Sequence, residues 1–242
     1  SAYGIASRCG RKLILPEWPF REFEYVPTIV DRNEGKAPEI MEQGFAYCGD
    51  FFYYMLNNDY KRLDISGYLQ SERYFSHVVP ILKKQLSWTI EFKVKVLSKE
   101  SRVDAPNSVA LHIRKGDYLT NGNYIDLPLS YYITSLRMLP NKDFVFVFSD
   151  DIEWCKRNMS LMAHKIVFIE GNTAMEDLCL MSLCKYHIIA NSSFSWWGAW
   201  LGENKQGTVI HPGAIFKGGM ADYDIKDYFP KRWVENKKWL HN

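Results

Sequence analysis

From residue 108 onward the chain alternates short, wholly apolar runs with amphipathic segments. This alternation constrains the fold more than any other feature of the sequence. SVALHI (108–113), FVFVFS (144–149), KIVFIE (165–170), HIIANS (187–192) and TVIHPG (208–213) read as strands. LSYYITSLRML (129–139), DIEWCKRNM (151–159), AMEDLCLMSLCKY (174–186) and SFSWWGAWLGEN (193–204) have helical spacing. Strands this uniformly apolar must be buried on both faces, which requires parallel βαβ units. The expected class is α/β, with a doubly wound parallel sheet in the C-terminal half.

The preceding half reads differently. SAYGIASR predicts the second half of a helix, followed by a strand over 12–15, so a first βα turn is expected ahead of them. Residues 17–60 are aromatic and irregular, DISGYLQSERYF gives a strand and turn, and a helix is expected near 71–86. Hydrophobic density falls over 95–107, and Pro106 marks a break. Two domains are therefore expected, an N-terminal α/β domain over 1–105 and a C-terminal domain over 106–242.

Composition narrows the partners. With 30 basic and 28 acidic residues the net charge is +2, too small to draw the chain to nucleic acid. The 5 cysteines lack CxxC spacing, which argues against a zinc knuckle or a disulfide framework and for a reducing compartment. Asn158-Met159-Ser160 and Asn191-Ser192-Ser193 match the glycosylation sequon, a pattern common by chance. There is no apolar run of membrane-spanning length.

Ligands of open parallel sheets bind beyond the carboxyl ends of the strands. Polar clusters follow four strands here: His112, Arg114, Lys115 and Asp117; Ser149, Asp150 and Asp151; Asn172 and Thr173 with Glu176 and Asp177; and Asn191, Ser192, Ser193 and Ser195. Together they suit a nucleoside diphosphate. Arg114 offers a bidentate fork. The run Ser192 to Ser195, including Phe194, offers hydroxyls and amides at a helix start, where the dipole favours an anion. Asp177 could accept from ribose or a base. Each cluster alone also reads as an ordinary helix cap, and Arg114 as an ion pair with Asp117. The sequence has no GxxxxGK or GxGxxG loop and no histidine pair with metal-ligand spacing. Asp222-Tyr223-Asp224 lies far from any strand end. No metal is therefore expected, and Arg114, Lys115 and a helix terminus would neutralise a leaving diphosphate.

HIRKGDY, FVFSDD, MEDLCLMSLCKYHIIANSSFSWWGAWL and GYLQSERYF resemble the α-1,2-fucosyltransferases of glycosyltransferase family 11, from about residue 65 onward. SAYGIASRCGRKLILP is similar to the part after that family's glycine-rich opening. The resemblance implies a GT-B-like pair of Rossmann-type halves with the donor site in the C-terminal half. It implies inverting transfer of L-fucose from GDP-fucose to the 2-hydroxyl of a terminal galactose, with no cofactor or metal. Carried over, Arg114 binds the phosphates with His112 beside it, Asp177 contacts guanosine, and Ser192, Ser193 and Phe194 close over the diphosphate. Lys115 stands where many members carry a second arginine, which keeps the charge but loses the fork.

Asp117 is the nearest candidate base, with Asp126 and Glu17 as alternatives. Fucose transfer through another linkage or to a protein hydroxyl, a carbohydrate-binding module and a nucleotide-binding non-enzyme are the rival readings. The expected partners are GDP-fucose and a galactose-terminated oligosaccharide. The expected location is a bacterial cytoplasm, with peripheral membrane association, or else a Golgi lumen.

Overall fold

A computed structural model describes residues 1–15, 17–27, 29, 37–58, 60–159, 165–203 and 207–241. The chain divides into two compact units. The first comprises Ser1–Ser87 with Tyr223–Pro230, the second Trp88–Asp222 with Lys231–Asn242. The division falls at Ser87/Trp88 rather than at 105/106, and the chain returns once to the first unit.

The first unit contains α1 (Ala2–Arg8), β1 (Glu39–Met41), α2 (Asp50–Leu56), β2 (Asp64–Ser66) and α3 (Val79–Gln85). β1 and β2 pair in parallel, with Ile40 opposite Ile65. Among the described residues this pair is the unit's only sheet, so the expected Rossmann-type layer is not seen in full there. Only an isolated bridge, Leu15 to Ile29, stands where a strand is expected over 12–15. The helix expected near 71–86 is broken into two 3₁₀ turns, Glu72–Tyr74 and Ser76–Val78, before α3. Pro80 lies in the first turn of α3, where its missing N–H costs no helical hydrogen bond.

The second unit opens with α4 (Ile90–Lys99) and continues β3 (Ser108–Ile113), α5 (Leu129–Met138), β4 (Phe144–Ser149), α6 (Ile152–Met159), β5 (Ile166–Phe168), α7 (Ala174–Leu183), β6 (Tyr186–Ile188), α8 (Ser193–Gly202), β7 (Val209–His211) and β8 (Val234–Glu235). Six parallel strands lie in the order β5-β4-β3-β6-β7-β8. The order reverses between β3 and β6, which makes their carboxyl ends the topological switch point.

All six residues of β3 are buried. The two-residue period sends Val109, Leu111 and Ile113 into one core with Tyr131, Tyr132, Leu136, Cys155 and Met159, while Ala110 joins Phe146, Phe148, Val96, Cys179 and Leu180 on the other side. Each large aliphatic side chain so buried contributes about 1.5–3 kcal/mol. α4 belongs to this unit because Lys95 and Lys99 reach Glu176 of α7 at 3.1 and 2.8 Å, and Val96 enters the core. Among the described residues no helix is long and apolar enough to cross a membrane.

Candidate active site

The switch point carries two of the four expected clusters. After β3 the chain turns into the short 3₁₀ segment Gly116–Leu119; after β6 it runs through Asn191 and Ser192 into α8. Two contacts join these loops. The Tyr118 hydroxyl donates to the Asn191 carbonyl at 2.9 Å, and the His112 and Phe194 rings lie 5.5 Å apart. Arg114 and Ser193 therefore belong to one edge of the sheet. Tyr118 was legible as a phenol at the strand end, yet its bridging role is outside the expected set of site residues.

Arg114 is one-third exposed. Its Nη2 pairs with Asp117 Oδ1 at 2.6 Å and its Nη1 with Asp150 Oδ2 at 3.2 Å. The ion pair with Asp117 is thus present. Asp150 is itself fixed, because its Oδ1 accepts from the Lys115 amide N–H at 2.9 Å. A Cβ at position 116 would run into that carboxylate, which explains the glycine there. The loop and the β4 end are locked together by backbone geometry, and the guanidinium is held ready.

His112 is buried on the α7 and α8 side, and its Nδ1 has no hydrogen-bond partner among the described residues. Burial, and secondarily the Arg114 charge, lowers its pKa to about 3, so the imidazole is neutral. Ser192 caps α8 without a side-chain hydrogen bond, and Ser193 is exposed at its first position. Asp177 sits in the first turn of α7, where Asn172 Nδ2 donates to its Oδ1 at 3.0 Å. Desolvation raises its pKa to about 6.

Four expected donor-binding side chains are turned to other tasks. Lys115 is buried; its Nζ reaches Asp126 Oδ1 at 2.5 Å and lies 4.1 Å from the Trp154 ring centroid, which also occupies Asp126 as a candidate base. Glu176 completes a capping box with Thr173 and receives Lys95 and Lys99. These bonds, the Lys99 one foremost, lower its pKa to about 2. Asn191 donates both amide hydrogens to the Ile125 and Ile215 carbonyls at 2.9 and 3.0 Å, and is no surface sequon. The Ser195 hydroxyl donates back to Ala190 and Ser192 carbonyls. In each case a buried polar group is satisfied within the protein, and sequence position alone could not separate that from ligand binding. Among the described residues no group of three His, Cys, Asp or Glu side chains could hold a metal ion.

Comparison with known proteins gives a consistent result. The model of glycosyl transferase family 11 matches residues 38–236. An α-1,2-colitosyltransferase of Escherichia coli is 36% identical over 90% of this chain and 78% of its own length. A galactoside 2-α-L-fucosyltransferase of Caenorhabditis elegans is 27% identical over 72% of this chain, which spans about half (52%) of that relative. In three dimensions the chain resembles POFUT1 in complex with GDP, at a TM-score of 0.51 and 12% identity over 87% of this chain and 93% of that one. It also resembles the fucosyltransferase NodZ from Bradyrhizobium, at 0.50 and 15% over 81% and 85%. At such identities these two structures establish the α/β, GT-B-like fold alone. With four-fifths of its length matched and a relative more than one-third identical, the chain belongs to glycosyl transferase family 11.

Proposed function

We propose that this glycosyltransferase moves L-fucose from GDP-fucose to the 2-hydroxyl of a terminal galactose, with inversion and without a metal ion. The observation that carries the reading is the convergence of Arg114 and the α8 N-terminus at the switch point of one parallel sheet. A helix start and a guanidinium fork are complementary to a diphosphate, and POFUT1, which shares the fold, is known with GDP and with GDP-fucose bound.

In this mechanism the donor phosphates replace Asp117 on Arg114, while Asp150 continues to orient the guanidinium. Asp117 is more than half exposed and stands on a single 3₁₀ turn, so its displacement disturbs little. Freed from the cation, it accepts the proton of the acceptor hydroxyl as that oxygen bonds to the anomeric carbon. The bond to the diphosphate breaks on the opposite face, and the electron pair leaves with GDP. Arg114 and the helix terminus stabilise the departing charge. Neutral His112 supplies a polar contact without adding charge. Asp177 is the candidate partner for the nucleoside.

The 36%-identical colitosyltransferase supports a second reading, in which the sugar delivered is colitose. The test presents GDP-fucose and GDP-colitose separately to the chain with lactose as acceptor, in EDTA, and reads the linkage by NMR. An α-1,2-fucosyl product is expected. Exclusive use of GDP-colitose would select the second reading, and transfer only on restoring a divalent cation would overturn the metal-free mechanism.

A further inference from the structure

The first unit repeats, on a small scale, the geometry of the second. β1 and β2 run in parallel, so the segments that follow them, Glu42 to Gly49 and Gly67 to Leu69, leave the same carboxyl edge. At that edge Phe45 and Tyr68 stack with centroids 4.5 Å apart and ring planes 24° apart. Phe45 is buried, at 4% exposure, whereas Tyr68 is 63% exposed. Tyr223, from the segment that returns to this unit, flanks Phe45 at 5.3 Å and is also exposed.

The backbone under Tyr68 is held in an unusual conformation. Gly67 has φ of 147° and Leu69 φ of 49°, the one non-glycine residue with positive φ among the described residues. A β-carbon at Gly67 would strike the Glu42 side chain. Glu42 is buried, and both its oxygens are used: Oε2 accepts from the Leu69 amide at 2.6 Å and Oε1 from the Tyr74 hydroxyl at 2.7 Å. Backbone strain fixed by a buried carboxylate tends to occur where a loop must present a side chain in one orientation. Here it presents a tyrosine whose inner face is covered by Phe45 and whose outer surface meets solvent.

We propose that Tyr68, supported by Phe45 and held by Glu42, is the stacking platform for the acceptor's neutral sugar ring. The inference rests on the glycosyltransferase reading, in which the chain holds a glycan as well as its donor. A tyrosine suits this occupant because the ring offers an apolar face to sugar C–H groups and its hydroxyl a polar edge.

The test uses the full chain with lactose as probe. In Tyr68→Ala the KM for lactose should rise about tenfold, the equivalent of one lost aromatic contact, while the KM for GDP-fucose stays within about twofold. Tyr68→Phe should restore most of the affinity. Independently of turnover, saturation-transfer NMR should show lactose bound to the wild type and lost in Tyr68→Ala, whose melting temperature falls by only about 2–4 °C and whose GDP-induced stabilisation remains unchanged. An unchanged lactose KM, a donor KM that rises in parallel (the mark of a nucleobase on the platform) or no saturation transfer to lactose in the wild type would each overturn the proposal. A chain that binds lactose through Tyr68 yet transfers nothing would leave the platform standing and refute the transferase reading.

Discussion

The carboxyl edges of the two parallel sheets differ in chemistry. In the second unit the edge between β3 and β6 is ionic: Arg114 lies between Asp117 and Asp150, on the same edge as the start of α8, whose Ser192 cap makes no side-chain hydrogen bond. In the first unit the edge beyond β1 and β2 is aromatic: Phe45, Tyr68 and Tyr223. The same backbone device supplies a rigid rim in both, and the residues that follow each strand decide what the rim can hold. Charged forks suit a diphosphate, and flat rings suit a neutral sugar. What fixes the two rims is alike. Asp150 braces the first through the Lys115 amide, and Glu42 braces the second through the Leu69 amide. A carboxylate bonded to a loop N–H is the common support.

The largest expected effect tests whether the ionic rim depends on a sheet packed on both faces. Leu111→Ala, at the fully buried centre of β3, should cost about 2–5 kcal/mol in urea denaturation. A negligible cost would mean that β3 is not central to the core. Next is Arg114→Ala, which should lower turnover about 10²–10³-fold, or some 2.7–4 kcal/mol of barrier, with little change in melting temperature. Near-normal turnover would erase the ionic half of the comparison.

Smaller effects separate groups that only brace the fold from groups that face a ligand. Glu176→Gln should lose about 1 kcal/mol of stability, since it removes the buried carboxylate's two ion pairs to partly exposed lysines while keeping the capping-box acceptor. GDP-induced stabilisation should be unaffected. The carboxyl is held at about 2 against an ordinary 4.5, so its contribution is present above pH 4.5 and fades as pH falls towards 2. Asp177 works in the opposite sense. Its pKa is raised from 3.8 to about 6, so the folded chain keeps a proton that the unfolded chain releases, and stability declines as pH rises between those values. Asp177→Asn should remove that slope, a difference below about 1 kcal/mol after solvent screening. Melting temperatures at several pH values from 4 to 7 would register it, and identical slopes would count against the assigned shift.

Much of the second unit was legible because its strands are uninterrupted apolar runs. β3 and β4 occupy the stretches expected for them, 108–113 and 144–149. The strand expected over 187–192 stops at Ile188, because the residues beyond it are committed to the loop ties of Asn191 and to the α8 cap. α4 escaped notice: Ile90 and Val94 face solvent, and lysines interrupt its apolar stripe. α2 was hidden among aromatic residues whose spacing reads equally as loop. At the site, residue types could single out Arg114 as a candidate phosphate ligand on the same sheet edge as a helix start. They could not reveal that Lys115 turns inward to Asp126 and Trp154, or that Asn191 spends its amide on two carbonyls, for those partners are distant in sequence or on other elements.

The path of the chain near its end has a consequence for maturation. Residues 223–230 complete the first unit, and only afterwards does the chain deliver β8 and the buried Asn236, whose amide reaches Thr134 and Ser135 at 2.8 Å. On the ribosome, the first unit therefore waits for residues 223–230 until most of the second has emerged. Removal of residues 231–242 would move the edge of the earlier-made sheet from β8 to β7 and take Asn236 from Thr134 and Ser135.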